Sequence, residues 1–288
     1  MRVRIIFILK NKGGYVPFHH QYLLAHLLKG IVVNGGDEQF QSYTDYNFSG
    51  LKGQTKISRT GLHYYSSRVT LVLASPDKEF IDYVIRTLFT FPQVEVGNLM
   101  LVPEYIEREK DPEVAEISKY ICISPIVVLK PEFNSSASKQ FIDPTKDEFS
   151  DVLYENTVMR MAKTNKYSED DLKRFNKFQV VPDKNYLNRI REGQKKFARI
   201  YPLFDQDVKY EVRGYTFPFT LYAEKEVQEF VFNSGFGYCT HKGFGMLDIA
   251  NADPTSRTEA YEVEGVEYKK SSGGPLLPER SQPRVSYE

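Results

Sequence analysis

The order of hydrophobic patterns along this chain constrains its fold more than any single residue does. The opening "RVRIIFIL" alternates and then fills with β-branched residues, which is a strand pattern. "HHQYLLAHLLKGIVV" sets Tyr22, Leu23, Ala25, His26, Leu27 and Leu28 at helical spacing, and Gly35-Gly36 closes it. Two strand patterns follow, "DYNFSGLKG" and "GLHYYSSRVTLVLAS". "SPDKEFIDYVIRTLFTF" then predicts a helix capped by Ser75, with Pro76 in its first turn and Phe80, Val84 and Leu88 on one face. "VEVGNLMLVPEYIE" supplies one more strand. The resulting βαββαβ order is the ferredoxin-like unit, an arrangement that RNA-recognition modules also use.

A second pass begins at "YICISPIVVL". A helix pattern follows at "TKDEFSDVLYENTVMRMAK", then a basic polar region, then "DVKYEVRGYTFPFTLYA", which reads as a long strand interrupted at Pro218. A short helix, "EKEVQEFVFNSG", leads through a glycine-rich loop to a last strand, "FGMLDIA". The expected fold is therefore α+β, with two tandem ferredoxin-like (RRM-like) βαββαβ domains. Residues 1–115 form the first and 116–251 the second, meeting in the charged segment "EREKDPEVAEISK". Residues 252–288 end in "SSGGPLLPERSQPRVSYE", rich in Ser, Pro and Gly, and are expected to be a disordered tail.

No apolar run approaches the length of a membrane span, and the first strand turns polar without a small-residue cleavage site. A cytoplasmic protein is expected. The two cysteines, Cys122 and Cys239, have neither a disulfide framework nor zinc-ligand spacing, so no metal site is read from them. Formal charge is zero, 38 basic against 38 acidic residues, yet it is segregated. Tyr46 to Pro76 holds Lys52, Lys56, Arg59 and Arg68 and no acid; Met159 to Arg199 holds twelve basic and five acidic residues; Asp77 to Glu116 holds ten acidic and four basic. Such segregation fits one face meeting a polyanion, and equally fits ordinary solvated helix faces.

"NSGFGYCTHKGFGMLDI" sharpens the choice. Gly235, Gly237, Gly243 and Gly245 surround Cys239, Thr240, His241 and Lys242. Bare backbone lets successive amide groups approach an anion, and the alternative is a tight turn packed on the sheet. The stretch precedes a strand and opens no helix, so it is neither a dinucleotide fingerprint nor a P-loop.

"GFGYCTHKGFGML" resembles the C-terminal glycine-rich signature of the CRISPR-associated endoribonucleases that process repeat RNA, the sixth family of Cas proteins within the glycine-loop RAMP superfamily. "VPFHHQYLLAHLL", "YNFSGLKG", "ISPIVVL" and "GYTFPFTLYA" are similar to the family as well, and the likeness runs from Met1 to Ile249. It implies metal-independent cleavage of CRISPR repeat RNA by attack of a ribose 2'-hydroxyl on the adjacent phosphate. The products would be a 2',3'-cyclic phosphate and a 5'-hydroxyl, with no cofactor. The alternative within the superfamily is a repeat-RNA-binding member that does not cut, or an effector-complex subunit. The implied partners are repeat RNA in the precursor transcript, an interference effector complex and a second copy of the chain, with no membrane.

Such a reaction needs a proton acceptor, a proton donor and a cation for the phosphorane, roles that suit histidine, tyrosine and lysine. By resemblance, the catalytic candidates are His20, His26, Lys29, Lys52 and Tyr43. His20 could instead cap the helix, and His26 could be a half-buried helix histidine; six residues apart, they lie on different helix faces. The loop after this helix, where some relatives carry a histidine, has Tyr43 and Asp45 and no histidine. His63, within a strand, reads as structural. The RNA-binding candidates are Gly235, Gly237, His241, Lys242, Gly243 and Gly245 in the loop, with Arg160, Lys163, Arg174, Lys177, Arg189 and Arg191 for the phosphates of the repeat stem.

Overall fold

A computed structural model describes residues 1–129, 141–193, 198–205 and 208–268. The first half comprises β1 (Arg2–Leu9), β2 (Tyr15–Val16), α1 (Gln21–Asn34), α2 (Glu38–Gln41), β3 (Asn47–Phe48), β4 (Thr55–Ile57), β5 (Leu62–Tyr64), β6 (Arg68–Ala74), α3 (Lys78–Thr90), β7 (Val94–Val96) and β8 (Leu99–Glu109). Strands β8-β1-β6-β3 are neighbours in that order and pair antiparallel, which is the ferredoxin-like arrangement. Along β1, Val3, Ile5, Phe7 and Leu9 are buried in a core shared with Leu24, Leu28 and Ile31 of α1 and Phe80, Val84 and Leu88 of α3. Each such side chain contributes roughly 1.5–3 kcal/mol by leaving water. The alternate residues Arg2 and Arg4 lie on the opposite face of the sheet.

Two local expectations are corrected here. The N-cap of α3 is Asp77, whose carboxylate accepts from the amides of Glu79 and Phe80. The Ser75 hydroxyl accepts from the Asp77 amide, one step earlier. "GLHYYSSRVTLVLAS" is not one strand. Its first part, β5, joins a small separate sheet of order β2-β5-β4, and only β6 enters the main sheet.

The second half comprises β9 (Ile117–Cys122), α4 (Glu148–Lys163), α5 (Glu169–Arg174), β10 (Phe178–Pro182), α6 (Lys184–Glu192), β11 (Ala198–Asp205), β12 (Val208–Tyr215), β13 (Phe219–Ala223), α7 (Lys225–Ser234) and β14 (Leu247–Ile249). Its sheet runs β14-β9-β13-β10, again antiparallel and again ferredoxin-like. The chain is thus two tandem ferredoxin-like domains. Helix α6 and the hairpin β11–β12 are inserted between the second and third strands of this unit. "DVKYEVRGYTFPFTLYA" therefore supplies two strands of two sheets, broken at Thr216–Pro218, where proline offers no amide to a ladder.

After β14 the chain does not trail away. A 3-10 turn at Pro254–Arg257 leads into β15 (Thr258–Ala260), which pairs with β8 of the first domain. Val263 is buried in the first core, with Tyr261 and Tyr268 packed against it. This corrects the expected tail over residues 252–268, whose apolar side chains return to the first domain; residues 269–288 lie outside the described residues. Among the described residues, no helix is long and apolar enough to cross a membrane.

Candidate active site and nucleic-acid interface

The glycine loop is first of all a packed joint. Gly245 has φ +72°, and a Cβ there would sit 2.0 Å from the Phe236 carbonyl oxygen. Gly243, φ +87°, faces the Phe48 ring of the first domain, with a Cβ-to-ring distance of 2.5 Å. Loop amides are also spent on backbone carbonyls: Phe236 donates to Gly245, Tyr238 to Val127, Lys242 to Cys239, Gly243 to Thr240 and Gly245 to Pro125. The expected row of amides facing an anion is therefore not what these five groups form. Gly235 and Gly237 are tight in the same way, against Asn47 and the Val127 carbonyl. The loop also carries a 3-10 turn, Thr240–Lys242, in which Thr240 is buried and His241 and Lys242 are half-buried.

Buried charge joins the domains next to this loop. Arg2, 1% exposed, donates to the carbonyls of Phe232 at 3.0 Å and Leu247 at 2.8 Å. Its guanidinium lies between Glu109 and Asp248, and Arg257 also holds Asp248, at 2.8 Å. Arg160 plays a similar part. It donates to the carbonyls of Ser234 and Gly235 and pairs with Asp45 of the first domain, and burial lowers its pKa. Arg160 is thus a joint residue in this structure, tied to the loop backbone.

The start of α1 meets the hairpin β11–β12, and α1 also meets the 3-10 turn, whereas His26 lines a groove with Phe91, Val94 and Glu95 of the first domain. His19 lies edge-on to Tyr201 with ring centroids 4.4 Å apart, and Tyr22 packs on Phe204 at 5.2 Å. Lys242 Nζ donates to the Tyr210 hydroxyl at 3.0 Å, and His241 lies edge-on to Tyr46. Tyr22, His26 and Lys29 fall at i, i+4 and i+7 on one stripe of α1, with His26 and Lys29 exposed. Burial and the nearby Arg199 charge lower the His19 pKa, which favours its neutral, proton-accepting form. Among the described residues, neither His19 nor His26 has a hydrogen-bond partner in the protein.

The other catalytic candidates are dispersed. His20 is buried; its Nδ1 donates to the Pro17 carbonyl and its Nε2 accepts from the Leu51 amide, both at 3.2 Å. Both ring nitrogens are engaged with backbone, and burial lowers the pKa, so the ring is a neutral pin between α1 and the strand beyond it. Tyr43 donates to Ser75 at 2.9 Å, and burial raises its pKa far above the usual phenol range. Lys52 bridges Thr70 on the face of the first sheet turned away from α1, near Arg4 and Glu109; burial lowers its pKa. It is separated from His26 and Lys29 by the sheet itself. His63 bonds the Gly13 carbonyl and Ser58 hydroxyl, a structural arrangement.

Of the remaining basic candidates, Lys177 and Arg191 converge with Lys146 and Lys184 on a groove of about 930 Å³ along β10. Arg189 is exposed on α6, Lys163 is exposed at the end of α4, and Arg174 is paired with Asp171. Sequence reasoning passed over His19 and the aromatic hairpin residues Tyr201, Phe204 and Tyr210. The adjacent pair "HH" was the available signal for the first, because the turn before a helix buries one neighbour and leaves the other at the surface.

Residues 107–249 match the family model described as CRISPR associated protein Cas6, C-terminal. The chain is 23% identical over 261 residues to a CRISPR-associated endoribonuclease-like Cas6 protein of Pyrococcus furiosus, covering 86% of this chain and 98% of that protein. It is also 23% identical over 241 residues to CRISPR-associated endoribonuclease Cas6 1 of Methanocaldococcus jannaschii, covering 81% and 86%. Among solved structures, the product of a Cas6-related gene from Pyrococcus furiosus superposes with a TM-score of 0.72 at 21% identity, covering 88% of this chain and 99% of that one. A RAMP protein that binds different RNA substrates superposes with a TM-score of 0.72 at 19% identity, covering 87% and 100%. With the tandem ferredoxin-like domains and the glycine loop that joins them, these matches support a CRISPR-associated Cas6 family protein, the family model covering residues 107–249.

Proposed function

We propose that this protein binds CRISPR repeat RNA across the junction between α1 and the glycine-loop domain and cuts it once per repeat. The reaction is metal-independent attack of a ribose 2'-hydroxyl on the adjacent phosphate, leaving a 2',3'-cyclic phosphate and a 5'-hydroxyl. One observation supports this reading: His19, just before α1, lies edge-on to Tyr201 of the second domain, and α1 meets the 3-10 turn that carries His241 and Lys242. A neutral imidazole accepts the 2'-hydroxyl proton, a second, protonated imidazole or the Tyr22 hydroxyl donates a proton to the leaving 5'-oxygen, and Lys29 and Lys242 offset the charge of the phosphorane. The guide RNA then passes to an interference complex.

The test is a gel of the full chain with repeat RNA from its own genome, in EDTA, with and without a 2'-deoxy ribose at the cut. Wild type is expected to cut the first RNA and spare the second. His19→Ala or His26→Ala should slow cutting by about 100-fold or more, the usual worth of a general acid or base. Cleavage of the 2'-deoxy RNA sinks the mechanism. A second reading, a repeat-binding protein that does not cut, draws on the engaged ring nitrogens of His20 and the buried Tyr43 hydroxyl. Tight binding of an uncut repeat would select it.

A further inference from the structure

We propose that the small sheet β2-β5-β4 is a platform for single-stranded RNA, holding the unpaired flank of the substrate beside the junction of α1 with the second domain. The register sets Tyr15 opposite His63 and His63 opposite Lys56, one cross-strand row on one face. The Tyr15 and His63 rings are 5.5 Å apart, and Lys56 Nζ lies 5.0 Å from the centre of the Tyr65 ring. Tyr15 is 42% exposed and Tyr65 43%, so these rings show surface where core aromatics would show almost none. Aromatic faces beside mobile cations suit stacked bases with phosphates alongside, whatever the base sequence.

Charge selects the same occupant. Residues 1–36 and 46–76, which build this sheet and its flanks, contain no Asp or Glu. Lys10, Lys12, Lys56 and Arg59 are all exposed. Arg68 is left out of this set because Glu104 holds it through two hydrogen bonds. An acidic protein surface would satisfy the lysines but would gain little from two part-exposed rings.

The platform is tied down by hydrogen bonds and lies close to His19 along the chain. His63 is fixed by Gly13 and Ser58, and Gly13, Tyr64 and Tyr65 donate their amides to Tyr64, Gly14 and Gln54. From Tyr15 the chain reaches His19 in four residues, at most about 14 Å. Phe18, 41% exposed, lies on the way. A strand stacked on Tyr15 and Tyr65 would therefore have His19 within reach. Its position as a flank contact rests on the proposed repeat cleavage, whereas its capacity to bind a single strand does not.

The test measures anisotropy of a labelled short oligouridine, and of repeat RNA with and without an unpaired flank, against the full chain over a range of salt. Tyr15→Ala/Tyr65→Ala should weaken oligouridine and flanked-repeat binding tenfold or more, while Tyr15→Phe/Tyr65→Phe keeps it. Lys56→Ala/Arg59→Ala should reduce the slope of log affinity against log salt by about 1.4, since each lost phosphate contact removes about 0.7. The repeat without a flank should bind all variants alike. Wild-type protein, photo-crosslinked to oligouridine, should yield labelled peptides containing Tyr15 or Tyr65. Unchanged affinity and slope in both alanine pairs, or crosslinks confined to the second domain, would overturn the platform even if repeat cleavage stands. If cleavage fails but the oligouridine results hold, the platform stands and the proposed reaction falls.

Discussion

Replacing Arg2 by methionine tests what holds the two domains in register. Methionine keeps most of the stem and its packing over the Phe232 ring, where the guanidinium carbon now lies 3.9 Å from the centroid. It removes two bonds to the carbonyls of Phe232 and Leu247, each worth about 1.5–3 kcal/mol when the donor is charged. It also leaves Glu109 and Asp248, with side chains only 3% and 4% exposed, short of one cation. Arg4, 3.6 Å from Glu109, and Arg257, 2.8 Å from Asp248, compensate in part. Breaking a buried pair from one side costs about 3–5 kcal/mol, and that is the expected loss. With a urea slope of about 3 kcal/mol/M, the midpoint should fall by about 1–1.7 M. The chain has no tryptophan, so the titration is followed by tyrosine fluorescence and far-UV circular dichroism. The exposed Arg86→Met is the control and should stay within about 0.5 kcal/mol. Adding Asp248→Asn to Arg2→Met should recover part of the loss. A midpoint shift worth less than about 1 kcal/mol would refute the idea that this network carries the joint.

His20 gives a pH prediction. Burial holds its folded pKa below the ordinary 6.5, so below that value the unfolded chain binds a proton that the folded chain refuses. Stability should fall as pH drops from 6.5 toward the folded pKa, by up to about 1.4 kcal/mol per pH unit, and His20→Gln should flatten that part of the melting profile. An unchanged profile in the variant counts against it. Gly245→Ala forces a left-handed side chain into the Phe236 carbonyl and should cost at least about 2 kcal/mol, or about 4–8 °C in melting temperature; an unaltered melt sinks the packing argument. Arg160→Met should lower the melting temperature, because its guanidinium bonds Ser234 and Gly235. Arg189→Ala/Arg191→Ala should leave the melt alone and flatten the salt dependence of repeat binding; the reverse pattern would reverse these assignments.

The repeated βαββαβ order was legible because its helices carry apolar stripes and its central strands are β-branched. Boundaries inside strand-like runs were not: nothing in "HYYSSRV" says that Tyr64 and Val69 belong to different sheets. The glycine loop was legible as a signature, but its physical work was not. Positive φ at Gly243 and Gly245 could be guessed from residue type, whereas the Phe48 ring and Phe236 carbonyl that crowd them arrive by tertiary folding. The same limit governs the site. Periodicity alone separates His20 from His26 by helix face, but only packing reveals that His20 is locked to Leu51 while His19 faces Tyr201. Arg160 read as a phosphate ligand because a cation late in a helix usually meets solvent, and here another domain covers it.

Strand β15 has a consequence for how the protein is made. Strand β8 borders the first sheet, and β7 pairs with it at Leu99–Leu101 while β15 pairs at Glu107–Glu109. During synthesis the first domain must wait, with the far end of that border unpaired, until the whole second domain has been added. An unpaired border is a template for joining another chain. Stopping the chain at residue 251 should therefore yield a protein whose two domains are both encoded yet which self-associates through β8, with β15 acting as the seal that keeps neighbouring nascent chains apart.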